Sequence, residues 1–432
     1  MPSRRAVLAA CGTAALAGCS TLRDEPTITG SWPQRGYDRG RTGSVVGQFD
    51  GPEPPLTDGW TRSLPDGRGS ETSPILADGT LYVGDTDGPP PGTAGERTVT
   101  IDALDPGTGE HRWSATATTT REDRGTYYHA DSLAFAREAE LVLIQTSNGL
   151  CAVGTDGTER WCFDNVGDGQ LSYQPVAPAI DDDTAYVGRY RQLATHDIEP
   201  VFYAVALADG TERWRHEFSE WRGRLVYSPA VVDDIVYLAE PREGIKALDA
   251  SDGTELWRES VPVDGAPTVA NGAVYVTTAD YDTEELGARA LETDTGAVRW
   301  SVTDDLEDAW APRHLAVTDE TVYYPTFRRL VARDAETGAR RWEEIDDQAP
   351  VGVGRIGSGA PAVVGDRIYA AGSDVFVIDR SDGSVLGRYE TGRDTKSSVA
   401  VADGWLYVNT GSTLYGLTTC ETEVFGRCLR QG

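Results

Sequence analysis

Short apolar runs recur down most of the chain, each closed by a turn of Asp, Asn or Gly. Ser73-Pro74-Ile75-Leu76 leads through Asp78-Gly79 into Leu81-Tyr82-Val83. Ser228-Pro229-Ala230-Val231 leads in the same way into Val236-Tyr237-Leu238, and Ala360-Pro361-Ala362-Val363 into Ile368-Tyr369-Ala370. Runs of β-branched and aromatic residues around such turns predict β-hairpins. A third run, as in Ile245 to Asp249, turns at Asp252-Gly253 into a fourth that bears Trp257. No stretch of about 10–12 residues carries the 3.6-residue apolar period of a helix, so the chain predicts a nearly all-β fold.

The fourth run ends in a repeated phrase, a Gly followed four residues later by Trp. It places Trp113, Trp161, Trp214, Trp257, Trp300 and Trp342 at intervals of 42 to 53 residues. A period of this size marks a repeat architecture. Four antiparallel strands per unit fit a propeller blade, because radial stacking buries both faces of every sheet. Tyr82, Tyr186, Tyr237, Tyr275, Tyr323, Tyr369 and Tyr407 mark second strands, and Leu141-Val142-Leu143 fills the remaining slot, which gives eight units. The last unit has no Trp strand of its own, whereas Trp60 near the start has no blade. The strand around Trp60 is therefore expected to complete the eighth blade and close the ring, since an open ring exposes sheet edges. In the seventh unit Gly387 stands in the Trp slot, and Tyr389 is expected to pack there instead. Val153 and Ala206 replace the acid found eight residues before Trp in other units, which predicts looser turns.

Sixty-nine acidic residues against 39 basic ones give a formal charge of −30, with only two lysines, Lys246 and Lys396. A shell of this sign repels phosphate backbones, so nucleic acid is not an expected partner. It resembles the surface of proteins from salt-loving archaea. Ser3-Arg4-Arg5-Ala6-Val7-Leu8 looks like a twin-arginine export signal, and Leu16-Ala17-Gly18-Cys19 like a lipobox. The expected mature protein is anchored by a lipid on Cys19 at the outer face of the cell membrane. Its domains divide as a signal over 1–18, a tether over 19–31, a propeller over 32–417 and a tail over 418–432. Cys151, Cys162, Cys420 and Cys428 then remain, an even number suited to bridges. Cys151 and Cys162 flank Asp156-Gly157, read as a two-residue hairpin turn, and should lie opposite one another. Cys420 and Cys428 should staple the tail.

The phrase Ala-Leu-Asp-x-x-x-Gly-x-x-x-Trp at Ala103–Trp113 and Ala247–Trp257 resembles the tryptophan-docking repeat of the pyrroloquinoline-quinone-like propeller superfamily. Trp32-Pro33-Gln34-Arg35-Gly36 and Arg41-Thr42-Gly43 are similar to its opening segment. The resemblance implies that each Trp packs between neighbouring blades. It also implies three functional classes, which a fold cannot separate.

Quinone-dependent dehydrogenases of this superfamily need a calcium set, a carboxylate base and often two adjacent cysteines. No adjacent cysteines occur, and Asp181-Asp182-Asp183 and Asp304-Asp305-Leu306-Glu307-Asp308 read as solvated turns rather than calcium loops. Quinone and calcium therefore belong to an alternative reading, and no catalytic residue, cofactor or metal site is assigned. A second class is a non-catalytic scaffold, similar to the lipoprotein propeller of the bacterial barrel-assembly machinery. A third is a sensor of glycans or small ligands.

Tyr127-Tyr128-His129, Tyr173-Gln174, Trp221-Arg222, Trp310 and Arg313-His314 precede first strands, where loops gather on one face. They form a binding surface or pack against neighbouring blades. His111 and His216 lie on or beside strands and are expected at the surface. Together these features imply a lipid-anchored binding scaffold with an unidentified protein or ligand partner at its loop face.

Overall fold

A computed structural model of the chain describes residues 28–431 apart from 65–71, 88–94, 123–132, 147–148, 164–176, 193–197, 219–226, 241–242, 281–284, 305–313, 326–328, 346–358, 394–396 and 425–426. Four-stranded antiparallel blades span 75–122, 133–163, 179–217, 230–259, 268–304, 316–345 and 362–389. Blade 4 is representative, with Ala230–Val232 innermost, then Ile235–Glu240, Gly244–Asp249 and Glu255–Glu259. The eighth blade joins the two ends of the chain: Ala400–Ala402, Trp405–Asn409 and Thr413–Val424 are completed by Leu56–Ser63. Trp60 lies opposite Gly416 in that sheet. The fold is an all-β, eight-bladed propeller closed by an N-terminal strand.

Docking of one blade on the next follows one rule. Each indole donates Nε1–H to a backbone carbonyl of the following blade, at 2.7–3.2 Å, in the order Trp60, Trp113, Trp161, Trp214, Trp257, Trp300 and Trp342. In four docks a tyrosine hydroxyl reaches the same carbonyl. Pro106 receives Trp60 and Tyr407, Ala250 receives Trp214 and Tyr186, Thr293 receives Trp257 and Tyr237, and Ala335 receives Trp300 and Tyr275. A carbonyl has two lone pairs, so both donors are satisfied without a water. The glycine of the repeat sits under the indole of the preceding blade. Gly296 has φ 70°, and a Cβ there would stand 2.5 Å from Trp257 Cε3, so both the turn and the ring exclude a side chain. Trp113 and Trp342 are docked in this way yet remain half-exposed.

The seventh junction departs from the rule. Pro54 fills the space left at Gly387, and the Tyr369 hydroxyl donates to the Pro52 carbonyl at 3.0 Å. The chain leading into the closing strand thus takes the place of an indole. Tyr389 packs edge-on against Tyr415 and its hydroxyl donates to Asp58.

Several expectations are corrected. The loop at Asp156-Gly157 is longer than two residues, with Gly154 N–H donating to Thr158 O at 2.9 Å. A bulge between Glu159 and Trp161 restores the register, so Cys151 still faces Cys162, and the two form a disulfide. The turn after Ala206 is as tight as that after Asp105: Gly210 N–H donates to Ala206 O at 2.9 Å and Gly109 N–H to Asp105 O at 2.8 Å. Asp209 holds this turn by accepting from the Thr211 amide and hydroxyl. Glu292 does not brace its turn in the manner of Asp334 and instead holds Arg299 at 2.9 Å.

His216 is half-buried, with Phe218 edge-on at 5.2 Å, and burial holds its pKa below the usual value. Neither Asp181 nor Asp304 is solvated. Asp181 is buried against Arg39, and Asp304 against Arg333 and Tyr324. Residues 305–308 lie outside the described residues. The strand of the last blade continues past residue 417 to Val424, where Arg427–Gln431 pairs with it and Cys420 bonds Cys428. Ile28 to Ser31, placed in the tether by sequence, already contact the propeller: Ile28 is buried, and Thr29 N–H donates to Asp403.

The turn carboxylates give the fold an acid limit. Asp334 is held at about 2, first by Arg341 at 2.9 Å and then by the Thr337 hydroxyl and amide. Asp379 and Asp252 are lowered in the same sense by Ser381 and Thr254. An ordinary unfolded Asp titrates near ~3.9. The stabilisation is therefore complete above that value and is lost as pH falls through the folded pKa. Melting temperature should drop on acidification from about pH 4 towards pH 2. Asp334→Asn should flatten part of that slope, and an unchanged slope would count against the assignment.

Candidate functional site

The strands of a propeller blade end on two faces. Here the turns between first and second strands, and those between third and fourth, share one face. The links from second to third strand and from blade to blade leave from the other, the loop face. Tyr128, His129, Trp221, Arg222, Trp310 and Arg313, with Tyr127, Tyr173 and Gln174, fall on such links and lie outside the described residues. His314 is described. It stands at the loop-side end of the inner strand of blade 6, not on an exposed rim.

His314 faces a segment that approaches from the far end of the sequence. Residues 32–50 run around the channel and visit the blades in order. Inner strands present an unpaired edge to the channel, and their N–H groups need acceptors. Trp32 exchanges hydrogen bonds with Leu76 of blade 1, and Pro33 O accepts from Phe135 of blade 2. The Arg39 side chain reaches Asp181 of blade 3, while Arg39 O accepts from Val231 of blade 4. Gly40, Thr42 and Gly43 carbonyls accept from Val269, Val317 and Val363 of blades 5, 6 and 7, and Asp50 O accepts from Gly404 of blade 8. Ser44–Val45 adds a parallel strand to blade 7. At Gly40 a Cβ would stand 2.5 Å from Val269 O, which explains the small residue.

This thread carries Arg35 into the channel, where it is 7% exposed. Its Nε donates to Ser398 Oγ at 3.2 Å, and its Nη2 lies 2.6 Å from His314 Nε2. A guanidinium has no acceptor, so the ring nitrogen accepts and the ring proton is placed on Nδ1. Hydroxyls tie the blades together around it: Ala360 N–H donates to Ser398 Oγ and Ser398 N–H to Ser73 Oγ, both at 2.9 Å. The constellation is rich in hydrogen-bond donors. Arg35 thus links blades 6 and 8, and Ser398 carries the network on to blades 7 and 1. The sequence signal for it was Trp32-Pro33-Gln34-Arg35-Gly36, which reads locally as a loop.

Among the described residues, those that bear on the quinone and calcium reading are engaged in other contacts. Cys151–Cys162 and Cys420–Cys428 are separate hairpin bridges, so no adjacent pair is formed. Asp181 and Asp304, from the two acidic stretches, are engaged by Arg39 and Arg333. Among the described residues no three His, Cys, Asp or Glu side chains group as a metal site.

Comparison with known proteins places this geometry among relatives. The family described as outer membrane protein assembly factor BamB matches residues 36–200 and 199–417. The serine/threonine-protein kinase AfsK of Streptomyces griseus is 30% identical over 184 residues, 40% of this chain and 22% of that protein. The outer membrane protein assembly factor BamB of Yersinia pestis is 28% identical over 257 residues, 56% of this chain and 59% of that protein. The chain thus spans less than two thirds of either relative. Quinohemoprotein alcohol dehydrogenase from Comamonas testosteroni superposes with a TM-score of 0.66 at 14% identity, over 93% of this chain and 81% of that one, a likeness of fold.

Proposed function

Because the chain belongs to the family described as outer membrane protein assembly factor BamB, we propose that it is a non-catalytic scaffold that holds other proteins at its loop face. The observation that carries this reading is the use made of the repeat residues. Each Trp of the repeat docks one blade on the next, and the thread of residues 32–50 takes the inner edges of the blades. Among the described residues, those of the repeat and the thread are thereby committed to holding a ring, which leaves loops as the variable surface. We further propose that the mature chain is exported and held by a lipid on Cys19. The motifs at Arg4-Arg5 and Leu16–Cys19 support this.

Two measurements test the proposal. Cys19→Ser should move the protein from the membrane fraction to the medium, and unchanged retention would refute the anchor. Purified protein given pyrroloquinoline quinone, calcium and a panel of alcohols and sugars should not reduce a redox dye. Cofactor-dependent reduction would replace the scaffold with a dehydrogenase.

A further inference from the structure

The path of the chain into the propeller fixes which face an anchored molecule turns to the membrane. Thr29 and Gly30 N–H donate to Asp403 Oδ2 at 2.6 and 2.7 Å, and Asp403 belongs to the inner turn of blade 8. Ser31 Oγ accepts from Arg137 at 3.1 Å, beside the inner turn of blade 2, before Trp32 pairs with Leu76. The chain therefore enters on the turn face, close to the channel axis.

Residues 19–27 separate Cys19 from this point. Nine residues span at most ~30 Å when fully extended. To reach the loop face around the outside, they would first cross a blade from inner to outer strand, three spacings of ~4.8 Å. They would then climb its height, ~25 Å for a strand of seven or eight residues. That path is ~40 Å before any side chain is cleared. The direct route through the channel is crossed by the thread itself: Gln34 pairs with Ala134 of blade 2, and the buried Arg35 beside it reaches across to His314 at blade 6 and Ser398 at blade 8.

Resting on the lipid-anchor reading, we propose that the turn face is the membrane-facing side and that the loop face points away from it. The partner held there is then an ectodomain or soluble protein that stands a blade's height, ~25 Å, or more from the bilayer, not a bilayer-embedded domain. The charge of the turn face agrees with a tethered rather than an adsorbed molecule. Asp182, Asp233, Asp319 and Glu320 are exposed on it. They repel anionic headgroups, so the lipid and not the surface must supply the affinity.

The test uses the full lipidated protein on vesicles that contain a headgroup-linked quencher. A fluorophore is attached through Asp319→Cys on the turn face or Glu390→Cys at the loop-side end of blade 7. Both positions are exposed, and the native cysteines of the mature chain are either disulfide-bonded or lipidated in this reading. Quenching several-fold stronger at position 319 than at 390 is expected. Equal quenching, or the reverse order, overturns the orientation while leaving the anchor in place. Protein that remains in the supernatant, unquenched at both positions, overturns the anchor and the orientation with it.

Discussion

Trp257→Ala should lower the unfolding free energy by about 3–5 kcal/mol, the range for removing a large buried ring. The indole is 9% exposed and lies over Gly296, with Tyr237 packed beside it at 6.0 Å. Its loss opens a cavity between blades 4 and 5 and removes the 2.7 Å hydrogen bond to Thr293 O. Tyr237 already donates to that carbonyl at 3.5 Å, so the acceptor is not left bare and the cavity term dominates. Urea unfolding of the variant checks the value. A loss below about 1 kcal/mol would place the ring outside the packed interior, as for an ordinary surface substitution.

The second large effect lies at the next junction. Arg333, Asp304 and Tyr324 are all buried: Arg333 donates to both the Tyr324 hydroxyl and Asp304, and Tyr324 donates to Asp304. Asp304 comes from blade 5, while the other two come from blade 6. Burial and the Asp304 charge push the Tyr324 hydroxyl far above its usual range, so it stays a donor at any ordinary pH. Arg333→Met leaves Asp304 as an uncompensated buried carboxylate and should cost about 3–5 kcal/mol. Arg333→Met with Asp304→Leu removes both charges and should recover most of that loss. A double-mutant cycle in urea measures the difference. Additive losses would show that the pair is not coupled across the junction.

Legibility in the sequence followed the range of the interaction that each residue makes. The hairpins could be read because Asp-Gly and Asn-Gly turns are local. Asp78, Asn271 and Asp403 do adopt positive φ there. The eight-unit count and the closing role of Trp60 could be read because a repeat states its own register. Cys151 can be matched to Cys162 from the sequence although the loop is longer than a two-residue turn, since a bulge offsets the added length. The pairing of Asp181 and of Asp304 is not legible in the sequence, for the opposite reason. Their partners, Arg39 and Arg333, lie 142 and 29 residues away, and nothing local distinguishes a paired carboxylate from a solvated one.

The sequence alone determined the strand periodicity, the repeat and the strand that shuts the ring, because each depends on residues a few positions apart or on recurrence at a fixed interval. Tertiary structure decided the course of residues 32–50 around the channel, the placement of Arg35 against His314 and Ser398, and the replacement of an indole by Pro54 at the seventh junction. Those contacts join segments up to several hundred residues apart. They arise because the inner strand edges must find hydrogen-bond partners once the ring has closed.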